Sequence, residues 1–468
     1  VTTYRFPDGF VWGAATSAYQ IEGSPLADGA TPSIQHRYAH TPGNTFQGQT
    51  GDVAADHYHH WQEDVALMKE LGLRAYQFSM AWPRILPEGI GPVNQKGLDF
   101  YDRLTDGLLE AGVNPTPILH VWDLPGALQD RGGWANRDSS EWFAEYTSVL
   151  FDLIGDRATH WFTFCEPLSV AHFGHIAGEL APAMKDIYAG LRAAHHINMA
   201  HGRSVQAFRA SGAAGQIGTA TLVVDVQPAS DTEEDMAAAR RVNGYFNELF
   251  LDPVMLGRYP QHVVEWLGEP WPPLRDGDLE VISTAIDFVG VTYYFGQLVS
   301  DASDAGGALP GAGGDAELFD SAVGSLGTML KARMAPASDR QTSLGWPIYP
   351  EGATRVLKWI SDRYGNPPII VTENGVAFDD QVVDGRVDDG ERIDYLRDHF
   401  IAAHLAIDQG VDLRGWYVWA LLDTWEFSLG FKGRFGLIHV DYDTLARTIK
   451  RSGRWFAEVM ANNGLEGP

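Results

Sequence analysis

Pro368-Ile369-Ile370-Val371-Thr372-Glu373-Asn374-Gly375 is the stretch that decides the fold. Its near-continuous apolar run suits a parallel strand buried on both faces. Seven other short runs have strand character: residues 11–17, 75–82, 114–122, 161–166, 216–224, 288–294 and 415–422. Helical patterns separate them, among them 56–71, 95–111, 141–153 and 187–209. Eight β units with helices between them predict an α/β chain folded as one (β/α)8 barrel with long βα loops. A barrel with long loops accommodates all 468 residues as one domain, and no repeat or linker divides 1–468. Glu166, Tyr294, Glu373 and Trp419 then fall at or near the C-terminal ends of strands, where such barrels build their sites. The Gly- and Ala-rich segment 301–337 lacks clear periodicity and reads as a mobile loop over the pocket mouth, with room for a short helix.

Composition narrows the function. A formal charge of −27 repels phosphate backbones and anionic membranes, so neither nucleic acid nor a membrane is an expected partner. No apolar run is long enough to span a bilayer. The single cysteine, Cys165, excludes an intrachain disulfide and any multi-cysteine metal site. With no secretory pattern in the opening residues, a cytoplasmic location is the expectation. The Gly-rich stretch 305–314 has no P-loop lysine. His57, His59 and His60, and the pair His195 and His196, lack a ligand pattern to accompany them. No metal and no cofactor are expected.

The motifs are more specific. Phe10-Val11-Trp12-Gly13-Ala14-Ala15-Thr16-Ser17-Ala18-Tyr19-Gln20-Ile21-Glu22-Gly23 opens the chain, and Trp122-Asp123-Leu124-Pro125 ends the third strand run. Glu166-Pro167 ends the fourth and Thr372-Glu373-Asn374-Gly375 the seventh. Trp419, Asp423, Glu426 and Arg434-Phe435-Gly436 follow the eighth. Together these blocks resemble glycoside hydrolase family 1, the β-glucosidase family, over nearly the whole chain. The resemblance implies a retaining double displacement. Glu166 would be the acid/base and Glu373 the nucleophile, at a carboxyl separation of roughly 5–5.5 Å.

The residues around these two depart from the family pattern. Where the family reads Tyr-Arg-Phe-Ser, this chain has Tyr76-Gln77-Phe78-Ser79. The missing Arg would pair with the nucleophile and keep it ionised, so Glu373 is expected to protonate more easily. Cys165 replaces an Asn that holds the sugar 2-hydroxyl, and a thiol is a weak donor. It reads either as a thiolate nucleophile or as a small filler, and neighbouring carboxylates favour the filler by raising its pKa. Val121 stands where the family has a His for the 3-hydroxyl. His120, one residue away on the strand, points to the other face and reads as a histidine packed behind the barrel. Thr292 replaces an Asn, Phe427 replaces a Trp, and Leu168 replaces a Trp expected towards the aglycone. The family's Ser-Ile-Trp-Asp loop reads Ser33-Ile34-Gln35-His36. Gln20, Tyr294, Trp419 and Glu426 remain as sugar contacts.

Three functions are compatible with this pattern. The first is hydrolysis of a β-O-glycoside with a deoxy or modified glycone, or a bulky apolar aglycone. The second is non-hydrolytic acid/base chemistry (cyclisation, elimination or addition) on an apolar metabolite, with the two glutamates sharing a proton. The third is a ligand-binding barrel without catalysis. In each the partner is a small molecule, and the sequence sets no oligomeric state.

Overall fold

A computed structural model of the chain describes residues 2–303 and 317–467, with the side chains of all but 317–323. Among the described residues eight parallel strands close into a barrel. In chain order they are β1 (Val11–Ala15), β2 (Ala75–Ser79), β3 (Asn114–Ile118), β4 (His160–Cys165), β5 (Gln216–Leu222), β6 (Phe288–Thr292), β7 (Ile369–Gly375) and β8 (Leu413–Trp419). Each pairs with its neighbours in sequence, and β8 closes onto β1 through Gly415↔Val11 to Trp419↔Ala15. Helices His57–Glu70, Gln95–Glu110, Ser139–Ile154 and Ile187–Ser211 fill the first four crossovers.

The period of two along the strands divides the core in two. Ala15, Ala75, Ile118, Phe162, Ala220, Ile370 and Tyr417 pack together inside the barrel. Trp12, Tyr76, Phe78, Phe164, Val371 and Trp416 belong to the layer shared with the helices. Gly13 is fixed by this packing. A Cβ there would lie 2.4 Å from the Tyr417 ring, so only glycine admits that ring to the interior.

Several strands stop earlier than their apolar runs. The second run, read as 75–82, ends at Ser79, and Trp82 opens the short helix Trp82–Ile85 with Pro83 in its first turn. The third ends at Ile118 rather than 122. The apolar residues past these ends are buried in loops above the barrel, so hydrophobicity alone does not locate the strand ends.

Of the segment 301–337, residues 304–316 lie outside the described residues. The rest is not loop. Glu317–Leu330 is a helix, and Ala332–Pro336 pairs antiparallel with Gly296–Asp301. Gly296–Asp301 also pairs with Asp225–Pro228, so the loops after β5 and β6 share a small sheet beside the pocket.

Candidate active site

Glu166 sits one residue beyond β4, with its backbone in the left-handed region at φ 45°. A non-glycine residue takes that conformation only where the surroundings hold it. Here its N–H donates to the Ala220 carbonyl at 2.8 Å, across the neighbouring strand β5. Its carboxylate accepts from Ser169 Oγ at 2.8 Å on one oxygen and from Thr292 Oγ1 at 2.9 Å on the other. Burial raises its pKa, against the pull of these two hydroxyls.

Glu373 lies within β7. The Cys165 thiol donates to its Oε1 at 3.1 Å, and the Tyr294 hydroxyl donates to Oε2 at 3.1 Å. Burial, then the charge of Glu166, pushes its pKa up to about 8. Glu426 is held by the Gln20 amide N–H at 3.1 Å and by the Thr424 hydroxyl, and burial pushes it up to about 7. Ser17 Oγ donates to Gln20 Oε1 at 2.6 Å, so the amide is oriented with its NH2 towards Glu426.

Gln20, Val121, Cys165, Glu166, Tyr294, Glu373, Trp419, Glu426 and Phe427 line a single cavity of about 1370 Å3, its open mouth included. Thr292 does not open onto the cavity but touches Glu166. Gln77 is also absent from the wall. It is fully buried in register with Ala15 and Thr116, and neither of its amide atoms has a hydrogen-bond partner among the described residues. Val121 faces the cavity while His120 turns away among Trp134 and Phe164, where burial pushes its pKa down to about 3.

Other placements differ from the sequence reading. The thiolate reading of Cys165 is corrected: burial, then Glu373 and Glu166, hold the thiol pKa well above its usual value. The thiol is a donor to a carboxylate, a role the filler reading also missed. Leu168 does not face the aglycone end; it is wholly buried in the core beside Leu191 and Tyr245. Gln35 ties its helix to the pocket wall by donating to the Trp122 carbonyl at 3.0 Å. His57 is bonded to Asp64, and His195 to Tyr259 and Asp278. A different trio, His36, His40 and Asp52, places one ligand-capable atom from each residue within 4.8 Å of the others.

Sequence reasoning missed much of the wall. Ser169 carries a readable signal, three residues after Glu166 at the start of the following helical turn. Phe173, Leu222, Phe246, Phe295 and Trp346 carry none, because they arrive from elements far apart in sequence, and they make much of the outer cavity apolar.

The glycosyl hydrolase family 1 model matches residues 2–465. The chain belongs to that family. β-Glucosidase A of Thermotoga maritima is 47% identical over 464 residues, covering 99% of each chain. A β-glucosidase of an Agrobacterium species is 40% identical, covering 97% of this chain and 95% of that one. The solved structure of the family 1 β-glucosidase from Thermotoga maritima superposes with a TM-score of 0.93 over all of both chains, at 47% identity. A complex of the Thermotoga enzyme with deoxynojirimycin superposes at 0.92, also at 47% identity, covering 99% of this chain and all of that one. The fold is therefore the (β/α)8 barrel of family 1. No helix among the described residues is long and apolar enough to cross a membrane.

Proposed function

We propose that this family 1 chain is a retaining β-O-glycosidase for a substrate with an atypical glycone or a bulky apolar aglycone. The observation that carries the proposal is the shared cavity. Glu166 and Glu373 both line it, from the end of β4 and from β7, each bonded to its own pair of neutral donors. Glu166, its pKa raised by burial, is protonated over a wider pH range and donates to the leaving oxygen. Glu373 attacks the anomeric carbon, and water hydrolyses the resulting ester with Glu166 now acting as base. Gln20, Glu426 and Trp419 keep a sugar-like face. The relatives' names make an aryl β-glucoside the natural first probe. Cys165, Val121 and Phe427, poor in hydrogen-bonding groups, favour weak turnover of it.

Incubation with activated 2-fluoro-β-glycosides across several sugars tests this reading. A stable adduct on the peptide bearing Glu373 is expected from at least one. No adduct and no glycoside hydrolysis across the panel would overturn it.

One observation favours a second reading. With a pKa pushed up to about 8 and no ion-pair partner among the described residues, Glu373 is mostly protonated at neutral pH. A proton shared with Glu166 would suit acid/base chemistry without a covalent intermediate. In that case Glu166→Gln and Glu373→Gln would each abolish turnover of an apolar substrate while no 2-fluoro adduct forms.

A further inference from the structure

Glu166 and Glu373 stand apart from the other buried acids. Every other buried Asp or Glu among the described residues is ion-paired to an Arg or a Lys. Glu22 meets Arg84 at 3.2 Å, Asp64 meets Arg447 at 2.9 Å, and Asp423 meets Lys450 at 2.7 Å. Among the described residues neither Glu166 nor Glu373 has such a partner, and their hydrogen bonds come from two alcohols, a phenol and a thiol. The half-buried Glu426 on the same cavity is also without an ion pair among these residues; its bonds come from an amide, an alcohol and an indole. A buried carboxylate without a cation is costly. Apart from these three and the half-buried Asp123, which Ser33 and the N–H groups of Gln35 and Leu124 hold, the deeply placed acids among the described residues are ion-paired.

Gln77 points in the same direction. On β2, Tyr76 and Phe78 pack outward, while Ala75 faces the barrel interior. Gln77 therefore faces that interior too, fully buried, neutral and with both amide atoms unpartnered. An interior position that could have carried a fixed cation carries an amide that satisfies nothing around it.

We infer that the ligand supplies the missing cation: the glycoside this pocket takes carries an ammonium group in its glycone, seated against Glu373 and Glu426. This rests on the β-glycosidase reading of the pocket. The ammonium belongs to the glycone because Glu373 must reach the anomeric carbon, which brings the sugar ring to the carboxylates. Of the other lining residues, Phe173, Leu222, Phe246 and Phe295 offer an ammonium no such partner, and Glu179 is the one further carboxylate among the described residues. The cation does two things. It makes charge-assisted hydrogen bonds that a hydroxyl cannot match. It also favours the ionised form of Glu373, so the correct substrate activates its own nucleophile. Glu373 then forms the ester bond to the anomeric carbon as the C–O bond breaks and Glu166 gives its proton to the leaving oxygen. Water, deprotonated by Glu166, cleaves the ester. The ammonium group is unchanged throughout.

The test compares 4-nitrophenyl β-glucoside with its 2-amino-2-deoxy and 3-amino-3-deoxy analogues at pH 7, by hydrolysis and by the rise in thermal midpoint on binding. At least one amino glycoside is expected to exceed the glucoside in kcat/KM by about tenfold or more. Hydrolysis of the glucoside at an equal or higher rate than both would overturn the inference and leave the glycosidase reading standing. Stronger thermal protection by an amino glycoside with no hydrolysis of any would support the inference and count against hydrolysis. No hydrolysis and no amino preference in binding would overturn both. Gln77→Arg, which restores a fixed cation, is expected to shift the preference towards the neutral glucoside. Should that variant not fold, the comparison on the unmodified chain still decides.

Discussion

The Cys165 thiol donates to the Glu373 carboxylate across 3.1 Å, on the oxygen not taken by Tyr294. A thiol is a weak donor, so Glu373 keeps a high proton affinity. Cys165→Ala removes the bond without filling the space. It is expected to cut kcat/KM on a neutral glycoside by several-fold, as loss of one hydrogen bond of about 1 kcal/mol implies. It is also expected to move the alkaline titration of Glu373 to still higher pH. In the native protein iodoacetamide should leave Cys165 unmodified near neutral pH, because burial and both carboxylates suppress the thiolate. Rapid native alkylation, followed by mass spectrometry, would contradict this placement.

The pH profile follows from the same two groups. A nucleophilic Glu373 must be ionised, and its pKa is pushed up to about 8. Turnover of a neutral glycoside should therefore rise as pH climbs towards 8, well above the ordinary carboxylate range. Because Glu166 and Glu373 interact, the limbs of the profile belong to the pair. Gln77→Arg should pull the ascending limb back by one pH unit or more. Initial rates between pH 4 and 9.5 measure this, and an ascending limb below pH 5 in the unsubstituted chain would show that Glu373 ionises easily after all.

The barrel was legible because its strands announce themselves. Runs such as 369–371 are apolar on successive residues, as parallel strands buried on both faces require, and eight β units alternating with helices suit a closed barrel. Glu166, Glu373, Gln20 and Glu426 were legible because each sits in a motif of fixed spacing. The outer wall was not. Phe246, Phe295 and Trp346 lie far apart in sequence, and nothing local says that they line one cavity. The bond from Cys165 to Glu373 was also hidden. It joins β4 to β7 across the barrel, and pairing within the sheet does not predict contacts through the interior. The helix Glu317–Leu330 was legible only as room for a short helix within 301–337, because its Gly- and Ala-rich surroundings masked its period and bounds.

Glu373 should also leave a mark on stability. Its pKa rises from an ordinary 4.5 to about 8 on folding. Below 4.5 the group is protonated in both states and carries no penalty. Between 4.5 and 8 the unfolded chain ionises while the fold resists, so this contribution is lost as pH rises. Glu373→Gln cannot ionise and escapes the loss. Its thermal midpoint should match the parent near pH 4.5 and exceed it increasingly up to about pH 8. Groups far from Glu373 affect both proteins alike, so the difference reports Glu373 together with Glu166 and Glu426, which interact with it. A gap that is constant with pH would mean that Glu373 is not held protonated.

Lys450 anchors the loop that carries Glu426 and Phe427. Its ammonium is fully buried and lies 2.5 Å from Asp380 and 2.7 Å from Asp423. Asp423 also accepts from Arg434 at 2.6 Å and from the Gly436 N–H at 2.9 Å. Burial alone would raise the Asp423 pKa, but Lys450 and Arg434 hold it low. Lys450→Ala leaves two buried carboxylates with less than their full complement of charge, and such a loss costs about 3–5 kcal/mol. The exposed pair Arg454–Glu70 is the control. It is closely spaced at 2.6 Å, yet both side chains are about half exposed, so Arg454→Ala should barely change stability. Urea unfolding of the two variants tests whether burial or proximity sets the strength of an ion pair in this fold. Equal losses from both would mean that proximity does. A large loss confined to Lys450→Ala, with weaker glycoside binding below the transition, would tie the buried network to the position of Glu426.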